Sequence, residues 1–403
     1  LTVAKRIILA YSGGLDTSWC IPHLIGEGWE VITVTVDVGG MSDAEREDLA
    51  ERAQKLGAIS HHFVDARAAF YATTLRFLIA GNVRRGGVYP LCVGAERFLQ
   101  AQMVAEFANQ AGALAIGHGC TAAGNDQVRF ETALRALAPG MEIVAPIRDL
   151  TPSRSQQVED LQRLGMPVPK HGAAYSINSG LWGVTIGGTE TTTSDGQVPE
   201  HAWVRTQGAY ANPKAPTKIT LTFKEGQPTH VDGVAMEPVA LIEHVDTLAA
   251  SYGIGRGVHL GDTVLGVKGR VAFEAPAATV LIESHRELEK LVLTGRQQAM
   301  KDAAARNYGD WLHEGHFLDP ACRDIEALLT QSQTRVSGEV VVTLRTGSLF
   351  VEGVSSPYSL MAASRSTYGE AAKDWTPTDA AGFSRLVALP SILAARAGAR
   401  AQS

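Results

Sequence analysis

The run Arg6–Tyr11 (RIILAY) breaks off into Ser12-Gly13-Gly14-Leu15-Asp16-Thr17-Ser18, a junction that few folds accommodate. A short, nearly continuous apolar run reads as a strand buried on both faces of a parallel sheet. Its end delivers the chain to the edge where open α/β sheets bind ligands. Two glycines there let the backbone approach an anion with no Cβ in the way. The helix that follows turns unpaired amides and the positive end of its dipole toward that anion. The hydroxyls of Ser12, Thr17 and Ser18 add donors, and Asp16 can hold a magnesium ion or orient an amide. No lysine follows the glycines, so this is not the G-x-x-x-x-G-K-S/T loop.

The first 150 residues repeat this alternation. Strands are predicted at Arg6–Tyr11, Glu30–Asp37, His61–Val64, Leu114–Gly117 and Glu142–Pro146, with helices clearest at Asp43–Leu56 and Glu96–Gln110. That βαβα rhythm predicts an α/β fold built on a doubly wound parallel sheet. From Gly172 to Pro216 the chain is rich in Gly, Thr, Ser, Pro and Asn and reads as a long irregular connection. Beyond it, Lys218–Phe223 and Val264–Arg270 read as strands, and Pro238–Tyr252 and a stretch from Ala277 as helices. Val340–Leu344 and Leu349–Gly353 read as a hairpin turning at Arg345–Ser348. Phe383–Arg400 is Ala-rich with an apolar stripe suited to packing on another subunit. A chain of 403 residues exceeds what one core usually serves. The expected division is a nucleotide-binding domain over 1–165, a second α+β substrate domain over 166–380 and a C-terminal helix over 381–403.

The net charge of −6 argues against a nucleic-acid footprint, which needs a basic excess on some face. Cys20, Cys92, Cys120 and Cys322 form no C-x-x-C, so neither a zinc site nor a disulfide framework is indicated. With no run near the ~18 apolar residues of a membrane span and no leader-like opening, a cytoplasmic protein is expected.

Ser12–Ser18 resembles the pyrophosphate-binding loop of the N-type ATP pyrophosphatases, which cleave ATP between its α- and β-phosphates. The longer string Ala10–Ser18 (AYSGGLDTS) and the run His118–Glu131 (HGCTAAGNDQVRFE) resemble the argininosuccinate synthase family in particular. The likeness continues through Tyr175–Ile177, Gly253–Arg256, Glu274–Thr279 and Ser356–Leu360, so it covers essentially the whole chain. It implies a ligase in which ATP adenylates the ureido oxygen of citrulline and the amine of aspartate displaces AMP. It also implies use of Mg2+ and a homotetramer joined through the C-terminal helix.

Carried over by resemblance, ATP falls to Ala10, Tyr11, Ser12, Gly13, Gly14, Leu15, Asp16, Thr17 and Ser18, with Val36, Gly117, His118 and Gly119. Ser12, Asp16 and Asp126 take catalytic roles. Thr121, Asn125 and Asp126 fall on the aspartate side, where Asp126 can hold the ammonium. The acceptor side takes Tyr89, Gly94, Asn125, Arg129, Ser176, Thr185, Gly261 and Phe273. Arg84-Arg85 could attract anionic substrates but reads as a solvated pair, and His61-His62 as structural.

The acceptor side departs from the family pattern. Y-P-L-G-T-S-L-A-R becomes Tyr89–Arg97 with Val93 and Gly94 for Thr and Ser. V-E-N-R becomes Leu260–Thr263, which removes the glutamate that pairs with citrulline's α-ammonium, with Asp262 or Glu96 as possible stand-ins. Phe273 replaces a tyrosine, and Ala123 a lysine near the phosphates. Sites built to hydrogen-bond a substrate group discriminate by roughly 10⁴-fold when the match is broken. The expectation is therefore a paralogue: aspartate stays the nucleophile, but the adenylated ureido or related carbonyl acceptor is not citrulline. The alternative is ordinary argininosuccinate synthesis.

Overall fold

The computed structural model describes residues 5–168 and 175–401. Strands β1 (Arg6–Ala10), β2 (Glu30–Asp37), β3 (Ser60–Asp65), β4 (Ala115–Gly117) and β5 (Glu142–Val144) form an all-parallel sheet in the order β3-β2-β1-β4-β5. Ile8 packs on one face against Ala101, Val104 and Phe130, while Ile7 and Leu9 pack on the other against Trp19, Ile21 and Leu24. Burial on both faces is why the opening run is apolar at every position rather than at alternate ones. The chain leaves β1 toward β2 and β3, then returns to place β4 on the other side of β1. The loops leaving β1 and β4 therefore diverge at the sheet's carboxyl edge, the switch point where such folds open a crevice.

Helix α1 (Leu15–Gly26) starts at Gly14 with no side-chain cap, and α2 (Asp43–Lys55) starts at a Ser42/Glu45 capping box. A second, α+β part follows. Strands β6 (Tyr175–Gly180) and β7 (Gly183–Gly188) join β11 (Arg256–Asp262) and β12 (Lys268–Glu274) in the antiparallel order β11-β12-β7-β6. Strands β8 (Thr217–Lys224), β9 (Gln227–Val231), β10 (Val234–Ala235), β13 (Gly338–Arg345) and β14 (Ser348–Ser355) make a sheet ordered β10-β9-β8-β13-β14. Helices Pro238–Ala250 and Pro276–Val292 bury Leu241, Ile242, Leu281 and Leu288 in a core with Ile219, Leu221, Val340 and Val342. One compact unit runs through Ser356; a second begins at Pro357 and contains the helix Pro377–Ala401.

The doubly wound sheet, the α+β part and the C-terminal helix agree with the predicted fold class. Two local expectations do not hold in full. Residues 172–174 lie outside the described residues; Tyr175–Gly188 forms the β6–β7 hairpin rather than an irregular stretch, while the chain from Thr189 to Pro216 is irregular as expected, with only two short 3-10 turns. The hairpin's Gly- and Ser-rich strands have weak intrinsic preference and are held by pairing of β7 with β12, which buries Val184 and Ile186. The strand expected at Val264–Arg270 instead spans a turn. The Thr263 amide donates to the Val267 carbonyl (2.8 Å), Gly266 takes φ +81°, and β12 begins only at Lys268. Among the described residues no helix is long and apolar enough to cross a membrane.

Candidate functional site

At the end of β1, Gly13 adopts φ +73°, and a Cβ there would fall 2.0 Å from Leu49 Cδ2. Glycine is thus required twice over, by backbone angle and by space. The Gly13 carbonyl accepts from Arg52 Nη1 (2.8 Å), which sets a guanidinium from α2 against the loop. Ser12 Oγ accepts from the Gly14 amide (3.4 Å) and lies 3.2 Å from Thr17 Oγ1, which donates to the Gly14 carbonyl (3.3 Å). Ser12 and Gly14 are exposed at the mouth of the loop, with Ala10, Leu15 and Asp16 half-buried beside them. Tyr11 and Ser18 pack beneath, their hydroxyls 3.4 Å apart, and Val36 is half-buried on β2.

The second motif leaves β4 at Gly117, which pairs with Leu9 of β1. A Cβ on Gly119 would lie 2.8 Å from Thr17 Cγ2 and 3.2 Å from the Thr17 amide nitrogen, so the two loops touch there. His118 is buried, and its Nδ1 accepts from the Cys120 amide (3.3 Å), leaving the proton on an Nε2 that has no hydrogen-bond partner. Burial first, then Arg148, pushes its pKa down to about 4, so the ring is neutral.

Asn125 opens the helix Asp126–Leu137, and its Oδ1 accepts from the Val264 amide (2.9 Å), tying the motif to the β11–β12 turn. Asp126 receives Arg97 Nε at 2.9 Å and Arg129 Nη1 at 2.8 Å. Burial works to raise its pKa, but the two guanidiniums outweigh it and hold the carboxyl down at about 2. Thr121 is exposed beside them, its Oγ1 3.2 Å from where a Gly124 Cβ would sit. An ammonium arriving at Asp126 would share it with two arginines, while the same arginines suit a substrate carboxylate.

On the acceptor side the Tyr89 ring stacks on His259 (5.6 Å, 15°) and tilts against Phe273 (5.2 Å), and its hydroxyl donates to the Cys92 carbonyl. Leu91 and Val93 beside it hold φ of +62° and +64°. A Cβ on Gly94 would come 3.6 Å from Arg129 Cζ, so the glycine opens onto that guanidinium. Thr185 is paired with Phe273 in register, and Ser176 lies exposed on β6, at the far side of the sheet from Gly261. A Cβ on Gly261 would lie only 2.7 Å from His259 Nε2. Neither expected stand-in carboxylate fills that place. Asp262 pairs with Lys268 (2.6 Å) at the exposed rim. Glu96 is buried with Arg97 (3.0 Å), and burial pushes its pKa up to about 8.

Several residues of the site carried no usable sequence signal. Arg129 donates from Nε to the His313 carbonyl (2.7 Å) and from Nη2 to His313 Nδ1 (3.0 Å), across 184 residues of chain. Because a guanidinium only donates, Nδ1 accepts and Nε2 carries the His313 proton. Burial, then Arg129 and Arg85, drives the His313 pKa down to about 3; burial and Arg85 likewise lower that of His259. His259 shares a strand face with Gly261, the one local clue that could have found it. Arg84 and Arg85 are not a solvated pair: they bind Glu283 (2.5 Å) and Asp310 (2.8 Å), because helices Pro276–Val292 and Gly295–Glu314 pack over them.

Comparison with known proteins identifies the family. Residues 6–167 match the family described as arginosuccinate synthase N-terminal HUP domain, and residues 175–394 its C-terminal domain. The argininosuccinate synthase of Xanthomonas campestris is 39% identical over 98% of this chain and 99% of its own. That of Methanocaldococcus jannaschii is 39% identical over 88% of this chain and 89% of its own. That of Pyrobaculum aerophilum is 37% identical over 98% and 99%.

Proposed function

The chain belongs to the argininosuccinate synthase family of ATP-dependent ligases, and on that premise we propose that it joins the amine of aspartate to a ureido-type acceptor. The observation that carries this reading is the meeting of the β1 loop with the β4 motif, Gly119 against Thr17, in the same motif that carries the arginine-held Asp126. In the first step the acceptor's ureido oxygen bonds to the α-phosphorus of ATP, the bond to the bridging α–β oxygen breaks, and pyrophosphate leaves. The exposed Ser12 hydroxyl, the Gly14 end of α1 and the Arg52 guanidinium lie where they can take up the departing charge. In the second step the deprotonated aspartate amine bonds to the ureido carbon, a proton is shed, and AMP leaves with the former ureido oxygen. Arg97, Arg129, Thr121 and Asn125 would orient aspartate for that attack.

Among the described residues no group of three or more His, Cys, Asp or Glu gathers to hold a metal. A Mg2+ would therefore come with the nucleotide phosphates, with Asp16 as the loop's carboxylate, and would neutralise charge as pyrophosphate departs. The exposed stripe of Phe383, Leu386, Val387 and Leu393 on the last helix supports assembly as a homotetramer. Four free cysteines suit a cytoplasmic setting.

The names of the relatives favour citrulline as acceptor over the altered acceptor expected from the sequence. One specific observation favours the second reading: the His259 ring occupies the space into which a side chain at position 261 would extend. The reaction class is tested with aspartate, Mg-ATP and ureido-18O acceptors. Label should appear in AMP, with pyrophosphate released. Formation of ADP and inorganic phosphate would overturn the proposal.

A further inference from the structure

We infer that His285 is a buried imidazolium and, with Glu289, a positioning residue that holds the acceptor-side segment in place through Asn82. The inference rests on the ligase reading above and adds residues that act on the acceptor site without touching it.

Its basis is a closed ring of four hydrogen bonds among side chains 82, 285, 289 and 333. Asn82 Nδ2 donates to Glu289 Oε2 (2.5 Å), and Gln333 Nε2 donates to Glu289 Oε1 (2.8 Å). The oxygens of the same two amides face the imidazole. Asn82 Oδ1 lies 2.7 Å from His285 Nδ1, and Gln333 Oε1 lies 2.8 Å from His285 Nε2. An amide oxygen only accepts, so both ring nitrogens donate, and an imidazole that donates twice is charged. Turning either amide over would require a protonated Glu289, and the Lys301 ammonium 3.1 Å from Oε2 opposes that.

Burial acts most strongly against the second proton and Glu289 acts for it, while Lys301 and Arg286 oppose it. The ring decides the balance, because losing the proton leaves a buried carbonyl facing a bare nitrogen. The charges around it also pair off. Lys301 lies 3.5 Å from Asp302, which takes Arg286 at 3.0 Å, and the Phe223 ring packs against the imidazole at 5.8 Å.

Asn82 is the link to the site. It follows the helix Arg76–Ala80 at φ +51°, a left-handed conformation that a non-glycine residue keeps only where its surroundings fix it. The Ala80 carbonyl on the same turn accepts from Lys301 Nζ (3.0 Å). The path of the chain out of that helix is therefore set from the helices Pro276–Val292, Gly295–Glu314 and Pro320–Gln333. The segment that begins there carries Tyr89 and Gly94, assigned above to the acceptor.

The charge is read on the full-length protein with ring-15N histidine by solid-state NMR at pH 9, where histidines near their ordinary value of ~6.5 are neutral. An imidazolium with both nitrogens protonated should persist there and vanish in His285→Gln. A His285 ring with one bare nitrogen overturns the inference. Positioning is read from pyrophosphate release with citrulline, aspartate and Mg-ATP. Asn82→Gly suits the backbone angle but opens the ring. It and His285→Gln should each raise the citrulline KM by about 3–30-fold and leave the KM for ATP unmoved. The double variant should be no worse than the worse single, since both open one ring. Thermal melts confirm that the three variants are folded.

Additive losses, or an equal rise in the KM for ATP, overturn the positioning role and leave the ligase reading standing. Absence of aspartate-dependent pyrophosphate release from the wild-type protein overturns the ligase reading and the positioning role with it, while the imidazolium stands or falls on the spectrum.

Discussion

Replacing Gly13 with alanine adds one methyl group to the loop after β1 and should incur two separable penalties. The first is local: at φ +73° an L side chain crowds the following carbonyl, at ~1–2 kcal/mol. The second is tertiary: the new Cβ would stand 2.0 Å from Leu49 Cδ2, in a buried cluster with little room to yield. Overpacking of that kind costs ~1–3 kcal/mol. Leu49→Ala alone should cost ~2–5 kcal/mol through the cavity it leaves. It also removes the atom that Gly13→Ala strikes, so the double variant should be more stable than the sum of the singles by roughly the overpacking amount, ~1–3 kcal/mol. Denaturant melts of the four proteins measure that coupling. Pyrophosphate release supplies a second readout, since a loop displaced by about 1 Å typically loses ~10²-fold in rate. Purely additive stabilities, within ~0.5 kcal/mol, would refute the steric account. Full activity in Gly13→Ala would refute the assignment of the loop to the phosphates.

Three further outcomes are expected. His118 and His313 are held neutral with pKa values of about 4 and about 3. As pH falls below the unfolded value of ~6.5 the unfolded chain binds their protons first, so each withdraws ~2 kcal/mol of stability by pH 5. Melts at pH 7.5 and pH 5 should show the loss, with His313→Gln flattening the acid side. Asp126→Asn leaves Arg97 and Arg129 without their shared carboxylate; because a third of that side chain is exposed, a loss of ~2–3 kcal/mol is expected, with kcat/KM for aspartate down by ~10³. Ending the chain at residue 376 removes the helix Pro377–Ala401, and light scattering should report an assembly smaller than a tetramer.

What could be read from the sequence follows the range of the forces involved. The parallel strands were legible because Ile7, Ile8 and Leu9 are each buried, leaving a continuous apolar signature. Gly13 was legible because close backbone approach demands glycine, and Gly119 through the resemblance carried by its motif. The β6–β7 hairpin was not, since its order comes from a neighbour in the sheet rather than from its own residues. Arg129 could be proposed for the acceptor side, but its partner could not, because His313 arrives on a helix far along the chain. The segment Val264–Arg270 misled because its apolar residues Val264, Leu265 and Val267 belong to the turn that precedes β12.

The neighbouring strands β1 and β4 are filled by segments separated by two intervening strands, β2 and β3. A chain emerging from the ribosome exposes the glycine loop long before Gly119 exists to close against Thr17. Such non-local closure is slow and is reached late. On the proposed function, nucleotide held between the two loops would act as a latch on the finished sheet, stabilising only molecules that have completed the crossover.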